Sequence, residues 1–593
     1  MLRTHTCGEL DAQSIGLEVV VSGWVQTTRD FGKFIFIDLR DRYGITQISI
    51  NSESTPEIYQ TAKTLGREFV IQVKGKVVER SNPNPQLPTG SIEISPSELN
   101  ILNSSSVPPF KIENETDGLE ELRMNYRYLD LRRPIMARFI ELRAKTVRSV
   151  RKYLDTLGFL EIETPNLIKS TPEGARDFLV PSRLQKGSFY ALPQSPQMLK
   201  QLLMVAGMDR YYQIVKCYRD EDFRGDRQPE FTQIDCEMSF VEQEDILQTF
   251  EGMTVSVFKE ILGIDLPAFP RITYQEAIQK YGSDKPDLRF DMPIQYLTNT
   301  IASQLKSQVA PFGVFQNTID KNGIIVSLVA SQAAHFSRKE IDQFTDFVKA
   351  PHRGMSGLIW VKWNEDGSVK SSVEKFFTEQ ELKTWLEQCS AKPGDLLFIL
   401  CGDIAQTRKV AGELRLELGQ KLGLRKNEDW SVLWVVDFPM FESDPETGEM
   451  IFVHHPFVSP HPDDVSLLQT EPLKARALCY DLVMNGNEIV SGSVRIHQSE
   501  IQNQIFELLG LSESERQDKF GFLLKAFQYG APPHAGCAFG LDRWVMLMAG
   551  GESIRDVIAF PKNASGRDLM MDAPAPVPNA ALIEVGIAIL DSK

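Results

Sequence analysis

The sequence has no apolar run near the ~20 residues that cross a bilayer, and its first residues, MLRTHTCGEL, carry no signal-peptide pattern. The expectation is a cytoplasmic protein with no membrane partner. Cysteine is scarce. Cys7, Cys217, Cys236, Cys389, Cys401, Cys479 and Cys537 are scattered, odd in number and without a C-x-x-C pair. That fits reduced thiols and argues against a zinc ribbon. Also absent are G-x-x-x-x-G-K-[ST], a strand-borne G-x-G-x-x-G, H-E-x-x-H and G-x-S-x-G, which sets aside P-loop, dinucleotide-binding, zincin and α/β-hydrolase chemistries. There is no internal repeat and no low-complexity tract. A formal charge of −16 makes non-specific binding of nucleic acid unfavourable, although local patches decide specific contacts.

At 593 residues the chain is too long for one core. The runs EVVVSGWVQTT, KFIFIDLRD, ITQISI, FVIQVKGKVVE and SIEISPSEL predict five short strands over residues 1–105, with a polar interlude near 51–66, as in an OB-like barrel. Residues 106–135 read as a hinge. From 136 to 294 helices and strands mix, beginning with a long helix that Gly158 terminates and a strand running into Pro165. Residues 295–415 read as an inserted α+β unit without a legible motif. The chemistry-rich pattern resumes over 416–593. The fold class expected is multidomain α+β. Ten basic residues between Arg123 and Lys152, against Asp130 and Glu141, read either as a polyanion-facing surface or as a salt-bridged helix face.

Residues 218–240, YRDEDFRGDRQPEFTQIDCEMSF, read as strand, charged loop, strand. On the second strand Gln233, Asp235 and Glu237 alternate with Ile234, Cys236 and Met238, so one face is polar. That suits a binding-site floor for a charged ligand; a solvated hairpin is the plain alternative. QSPQMLKQLL opens a helix, with Ser195 as the expected N-cap and Gln197 and Lys200 on one face. STPEGARDF, 170–178, reads as a loop able to close over a substrate. The adjacent histidines of VHHPF, read as strand, point to opposite faces, so they are no two-His metal pair. Asp481 and Glu488 are hard oxygen ligands suited to Mg²⁺, and Arg495 is suited to clamping a carboxylate with its fork. In GCAFGLDRWVMLMAG, Arg543 sits in the first turn of a helix, where the N-terminus favours an anion.

These residues together resemble the class II aminoacyl-tRNA synthetases of subclass IIb, and among them the aspartyl-tRNA synthetases of the bacterial type, over essentially the whole chain. The long helix with its Pro-ended strand is similar to motif 1, YRDED…RQPEFTQID to motif 2 and GLDR to motif 3. The HIGH and KMSKS signatures of the other synthetase class are absent. The resemblance implies formation of aspartyl-adenylate from ATP and L-aspartate, with Mg²⁺, and transfer to tRNA-Asp by a homodimer. It implies catalytic roles for Arg219 and Arg543. For ATP it implies Arg219, Asp220, Glu221, Gln228, Phe231, Glu488, Gly540, Leu541, Asp542 and Arg543. For aspartate it implies Glu173, Ser195, Gln197, Lys200, Arg219, Gln233, Asp235, His454 and Arg495. Asp481, Glu488 and Ser491 would hold the metal. On the barrel, Phe36 would stack on an anticodon base while Arg29, Gln47 and Glu93 read base edges. Phe31 and Asn82 occupy positions linked to discrimination between tRNA-Asp and tRNA-Asn. Phe31 is neither the histidine of relaxed charging nor the leucine of strict charging; strict charging is the reading taken. A lysine-specific relative would present acids to its substrate, a non-catalytic paralogue would lack Arg219, Glu488 or Arg543, and an asparagine-forming ligase would lack the barrel.

Overall fold

The computed structural model describes residues 2–170, 174–221, 225–306, 311–444 and 447–590. It forms two compact units. One comprises Met1–Arg143, Phe223–Gly225 and Ser553–Pro576; the other comprises Ala144–Asp222, Asp226–Glu552 and Val577–Lys593.

In the first unit, β1 (Glu18–Asp30), β2 (Phe34–Arg40), β3 (Ile45–Asn51), β4 (Val70–Glu79) and β5 (Ile92–Asn103) close a barrel in the order β1-β2-β3-β5-β4. Alternation builds it: Val19, Val21 and Val25, then Ile35, Ile37 and Leu39, then Ile48 and Ile50 are all buried, while their neighbours point outward. The polar interlude near 51–66 holds helix α1 (Pro56–Ala62), whose Tyr59 and Ala62 join the barrel core.

The basic stretch of this unit is largely structural. Arg127 and Arg133 are buried on Asp130, at 2.6 and 2.7 Å, and also donate to carbonyls of Ile558 and Glu113. Arg132 pairs with Glu68 and lies over Trp24. In the second unit Arg151 pairs with Glu161 and Lys152 with Glu260. The polyanion-facing reading is therefore corrected for these five cations, which are held by acids and carbonyls of the chain itself.

Helix α2 (Pro134–Thr156) leads into the second unit and ends before Gly158, whose φ is +75°. The strand expected up to Pro165 is only two residues long, β6 (Leu160–Glu161). The central sheet comprises β6, β7 (Arg210–Tyr218), β8 (Glu230–Ser239), β9 (Arg271–Thr273) and four later strands: β15 (Val432–Pro439), β16 (Arg476–Met484), β17 (Asn487–Val494) and β18 (His534–Gly540). Its order is β9-β15-β16-β17-β18-β8-β7-β6. All neighbours are antiparallel except the edge pairs β9–β15 and β6–β7. Helix α3 (Gln197–Val205) follows the QSPQ segment. Helix α4 (Gln243–Leu262), with a Glu242/Asp245 capping box and Gly263 as left-handed C-cap, buries Ile246, Phe250, Met253 and Val257 at helical spacing. Its Phe250 ring lies 5.8 Å from Phe539 of β18, so it covers the apolar sheet face and leaves the other face for polar side chains.

Between β9 and β15 a separate five-stranded antiparallel sheet forms from β10 (Gln295–Tyr296), β11 (Ile324–Ala330), β12 (Ile359–Trp363), β13 (Val369–Ser371) and β14 (Leu396–Gly402), in the order β10-β11-β14-β12-β13. Helix α5 (Ile404–Lys421) returns the chain, and its buried Arg415 donates to the carbonyls of Met292 and Phe290. Among the described residues no helix is long and apolar enough to cross a membrane.

Candidate functional site

The polar face of β8 carries the site. Asp235 and Glu237 are buried there, and Gly536 lies opposite Glu237 on β18. A Cβ at Gly536 would sit 2.0 Å from Glu237 Oε2, so only glycine lets the carboxylate lie over that strand. From α3, Lys200 reaches Asp235 Oδ1 at 2.8 Å and Glu237 Oε2 at 3.3 Å, and it donates to the Cys236 carbonyl at 3.4 Å. From the end of β17, Arg495 sends its Nε and Nη2 to the two Glu237 oxygens at 2.9 and 3.1 Å. Four charges are thus buried together, two of each sign.

The cluster divides its burial cost unevenly. Burial works to raise the Glu237 pKa, but Arg495 and Lys200 outweigh it and hold this carboxyl below its ordinary range. Burial raises Asp235 more than Lys200 pulls it back, and its Oδ2 is buried without a hydrogen-bond partner. Burial disfavours the Lys200 cation, yet Asp235 and Glu237 push its pKa above the usual value. An unpartnered buried carboxylate oxygen costs free energy unless a donor reaches it, so Asp235 is built to receive one.

Two sequence expectations are revised here. Lys200 commits its three N–H groups to protein acceptors, and the Arg495 fork expected to clamp a ligand carboxylate bidentately is spent on Glu237. The Nη1 edge faces Ser493 and the His455 Nε2, the latter at 2.9 Å. His455 Nδ1 also lies 3.2 Å from the Phe457 N–H. A neutral imidazole accepts at only one nitrogen, and burial, with Arg495, holds His455 neutral, well below its usual pKa. One of its two donors is therefore left wanting an acceptor. VHHPF is a bend and not a strand. His454 is the histidine expected at the ligand, but its ring packs edge-on to Phe438 at 5.0 Å. Its Nε2 has no partner, and burial lowers its pKa to about 4.

Sequence reasoning placed Glu237 on the polar strand face but gave neither it nor His455 a role at the ligand. Glu237 was legible, because it continues the two-residue alternation of Gln233 and Asp235. For His455 only the adjacent-histidine pattern was available. The N-cap of α3 is Pro196; Ser195 Oγ instead accepts from Gln197 N–H at 3.3 Å. Gln197 is buried against Gln201, and Gln233 accepts from Cys217 Sγ. Glu173 lies outside the described residues.

Towards the β7–β8 hairpin the Arg219 guanidinium lies 5.0 Å above the Phe231 ring. Glu221 pairs with Arg227 at 3.0 Å, and Asp220 N–H bonds the Arg176 carbonyl. Gln228 is buried. Helix α6 (Leu541–Ala549) starts directly after Gly540. Its Leu541 is core, and Asp542 is turned into the sheet, where Oδ2 accepts from Thr232 N–H at 2.8 Å. Only Arg543 of this group projects onward, donating to the Glu488 carbonyl and lying 3.6 Å from Asp226.

Asp481 faces Ser491 across the β16–β17 ladder, and Glu488 is opposite Val483. Burial, then Glu488, drives the Asp481 pKa well above the carboxylate range, while a Ser491 hydrogen bond opposes this. Asp481 Oδ1 has no partner. Two crowded carboxylates with a bare oxygen fit a divalent cation. No cluster of three or more His, Cys, Asp or Glu suited to a metal occurs among the described residues.

On the barrel Arg29 holds Asp38 through two bonds of 2.8 and 2.9 Å and reaches Gln47 at 3.2 Å. Gln47 in turn donates to Glu93 at 2.6 Å. Phe36 is half-buried beside this chain, Phe31 is exposed, and Asn82 lies in an exposed bend.

Residues 119–564 match the profile of tRNA synthetases class II (D, K and N), and residues 19–102 match that of the OB-fold nucleic acid binding domain. Full-length similarity decides the family. An aspartate–tRNA ligase of Bacteroides fragilis is 56% identical over 595 residues, covering 100% of both chains. The corresponding ligase of Porphyromonas gingivalis is 54% identical over 596 residues, again covering both completely. The chain belongs to the aspartate–tRNA ligases. The fold agrees with solved class II enzymes. The asparaginyl-tRNA synthetase of Pyrococcus horikoshii superposes with a TM-score of 0.60 at 18% identity over 95% of this chain and 98% of that one. For an aspartyl-tRNA synthetase of Entamoeba histolytica the values are 0.57, 18%, 94% and 90%.

Proposed function

We propose that the chain performs its family's reaction, joining L-aspartate to tRNA-Asp at the expense of ATP, with the buried Lys200–Asp235–Glu237–Arg495 cluster as the amino-acid pocket. The observation that carries this is the division of labour within the cluster. Glu237 is shared by both cations, whereas Asp235 keeps a bare oxygen. The substrate ammonium would donate to Asp235 Oδ2, helped by Gln197, Gln233, Ser195 and Glu173. Its side-chain carboxylate would take the Nη1 edge of Arg495, displacing the strained contact with His455, with His454 behind. Lys200 is then chiefly a positioning residue that holds Asp235 and Glu237.

The carboxylate of aspartate is itself the nucleophile at the α-phosphorus, so the protein contributes orientation and charge stabilisation. Arg219 would leave the Phe231 ring for the α-phosphate as adenine takes that ring face, and Arg543 would close over adenine and hold the γ-phosphate. Glu221 and Gln228 fix the nucleotide from the hairpin. Asp220 has its backbone tied to Arg176, Gly540 and Leu541 offer backbone only, and Asp542 clips α6 to β8. Asp481 and Glu488, with Ser491, would hold Mg²⁺, which would supply positive charge to offset that of the nucleotide phosphates. The barrel would read the anticodon through Phe36, Arg29, Gln47 and Glu93, with Phe31 and Asn82 setting the choice of tRNA-Asp over tRNA-Asn. A homodimer formed through α2 and β6, in the cytoplasm, completes the reading.

Arg495→Lys tests the pocket. It keeps the charge and loses the planar fork. The KM for aspartate in ATP–pyrophosphate exchange should rise at least tenfold while the KM for ATP stays within about twofold. An unchanged aspartate KM would remove Arg495 from the substrate.

A further inference from the structure

The barrel rim carries three phenylalanines where the anticodon reading uses one. On β2 the two-residue alternation sends Ile35, Ile37 and Leu39 into the core and Phe34, Phe36 and Asp38 outward. The Phe34 and Phe36 rings are parallel within 13°, with centroids 6.1 Å apart. Phe31 sits in the three-residue connection from β1 to β2, 69% exposed, with its ring edge-on to Phe36 at 5.9 Å. That connection is fixed in several ways. Gly32 adopts φ +81°, Phe31 N–H bonds the Phe34 carbonyl, Gly32 N–H bonds Asp30, and the Tyr59 hydroxyl donates to the Gly32 carbonyl. Phe31 is thus held in place although most of its ring meets water.

Register places this group relative to the polar readers. Arg29 pairs with Phe36, and Asp38 with Gln47, so the Arg29–Asp38–Gln47–Glu93 chain lies on the Asp38 side of Phe36. Phe34 lies on the other side, opposite Asn51. One base covers one ring face. Three clustered rings offer more π-surface than a single base takes, and an aromatic face accepts any base by stacking.

We propose that Phe34, buttressed with Phe36 by Phe31, is a second stacking platform, which holds the nucleotide adjacent to the one on Phe36. This rests on the anticodon-reading role of the barrel. Because Phe34 is remote from the polar chain, its base is held by stacking with little selectivity, while the base on Phe36 is also read at its edges.

The test uses the full-length chain and a synthetic anticodon stem-loop RNA of tRNA-Asp carrying 2-aminopurine at one loop position at a time. The parent should quench at two adjacent positions. Phe34→Leu, which keeps apolar bulk and loses the ring, should abolish quenching at one of them and weaken binding roughly 5- to 150-fold. Phe36→Leu should abolish quenching at the other. Thermal unfolding of the full-length chain, followed by circular dichroism and unchanged from the parent, verifies that each variant is folded. Quenching at a single position, or Phe34→Leu binding within twofold of the parent while Phe36→Leu is weakened, would overturn the second platform. If neither substitution weakens binding, the anticodon role of the barrel itself falls.

Discussion

Replacing Glu237 by glutamine keeps its shape and removes one charge from a cluster that balances two cations with two carboxylates. Glu237 is fully buried, takes both Arg495 donors at 2.9 and 3.1 Å and lies 3.3 Å from Lys200. In Glu237→Gln the two cations face Asp235 alone, and the new amide N–H₂ points donors at donors. Leaving a buried charge without its partner costs about 3–5 kcal/mol, a large share of the roughly 5–15 kcal/mol that holds a domain together. The substrate then acts as a partial remedy, because its side-chain carboxylate restores the missing charge. Unfolding of the catalytic unit, followed by denaturant titration with and without saturating amino acid, reads both effects. The variant should lose about 3–5 kcal/mol, and aspartate should raise its stability by more than it raises the parent's. Asparagine, its neutral isostere, should not. A variant within about 0.5 kcal/mol of the parent, or equal stabilisation by aspartate and asparagine, would refute the charge-balance argument.

Four further outcomes are expected. Arg219→Ala should abolish aspartate-dependent ATP–pyrophosphate exchange; activity within tenfold of the parent would contradict its role at the α-phosphate. Asp481→Asn relieves the repulsion from Glu488, so it should raise the unfolding temperature in Mg²⁺-free buffer while raising the Mg²⁺ concentration needed for half-maximal exchange. A fall in both would place Asp481 in structure alone. His454 is held neutral down to about pH 4 against an ordinary 6.5. Its contribution is complete above about pH 6.5 and is lost as pH falls towards 4, because the unfolded chain takes up the proton first, at up to about 1.4 kcal/mol per pH unit. Between those pH values the stability of His454→Phe should therefore decline less steeply than the parent's; parallel profiles would contradict this. Phe36→Ala should lower tRNA charging and spare exchange, and equal loss of both would mean the barrel is not a separate recognition module.

The barrel and the polar face of β8 were legible because both rest on two-residue alternation, which is local. The same alternation reached Glu237, but no local pattern says which cations meet it. Lys200 lies 35 residues from Asp235, and Arg495 lies 258 from Glu237. Pairings over such distances are set by sheet order, so the sequence could supply cations and acids without showing that they neutralise one another first. The basic stretch 123–152 stayed undecided between its two readings for the same reason: counting charges cannot reveal that Arg127 and Arg133 converge on Asp130 from within the same stretch and on carbonyls outside it. The histidine pair was read as strand where the chain bends before Pro456, and the bend leaves both rings half-buried. Ser195 was expected as N-cap because serine commonly fills that position, but the turn starts one residue later, at Pro196.

The central claim is that the buried cluster selects an acidic amino acid. ATP–pyrophosphate exchange measured with aspartate, asparagine, glutamate and lysine in turn tests it most directly. Aspartate should support exchange with kcat/KM at least a hundredfold above each of the others. Comparable exchange with asparagine or lysine would contradict the assignment of Asp235 to the ammonium and Arg495 to the side chain.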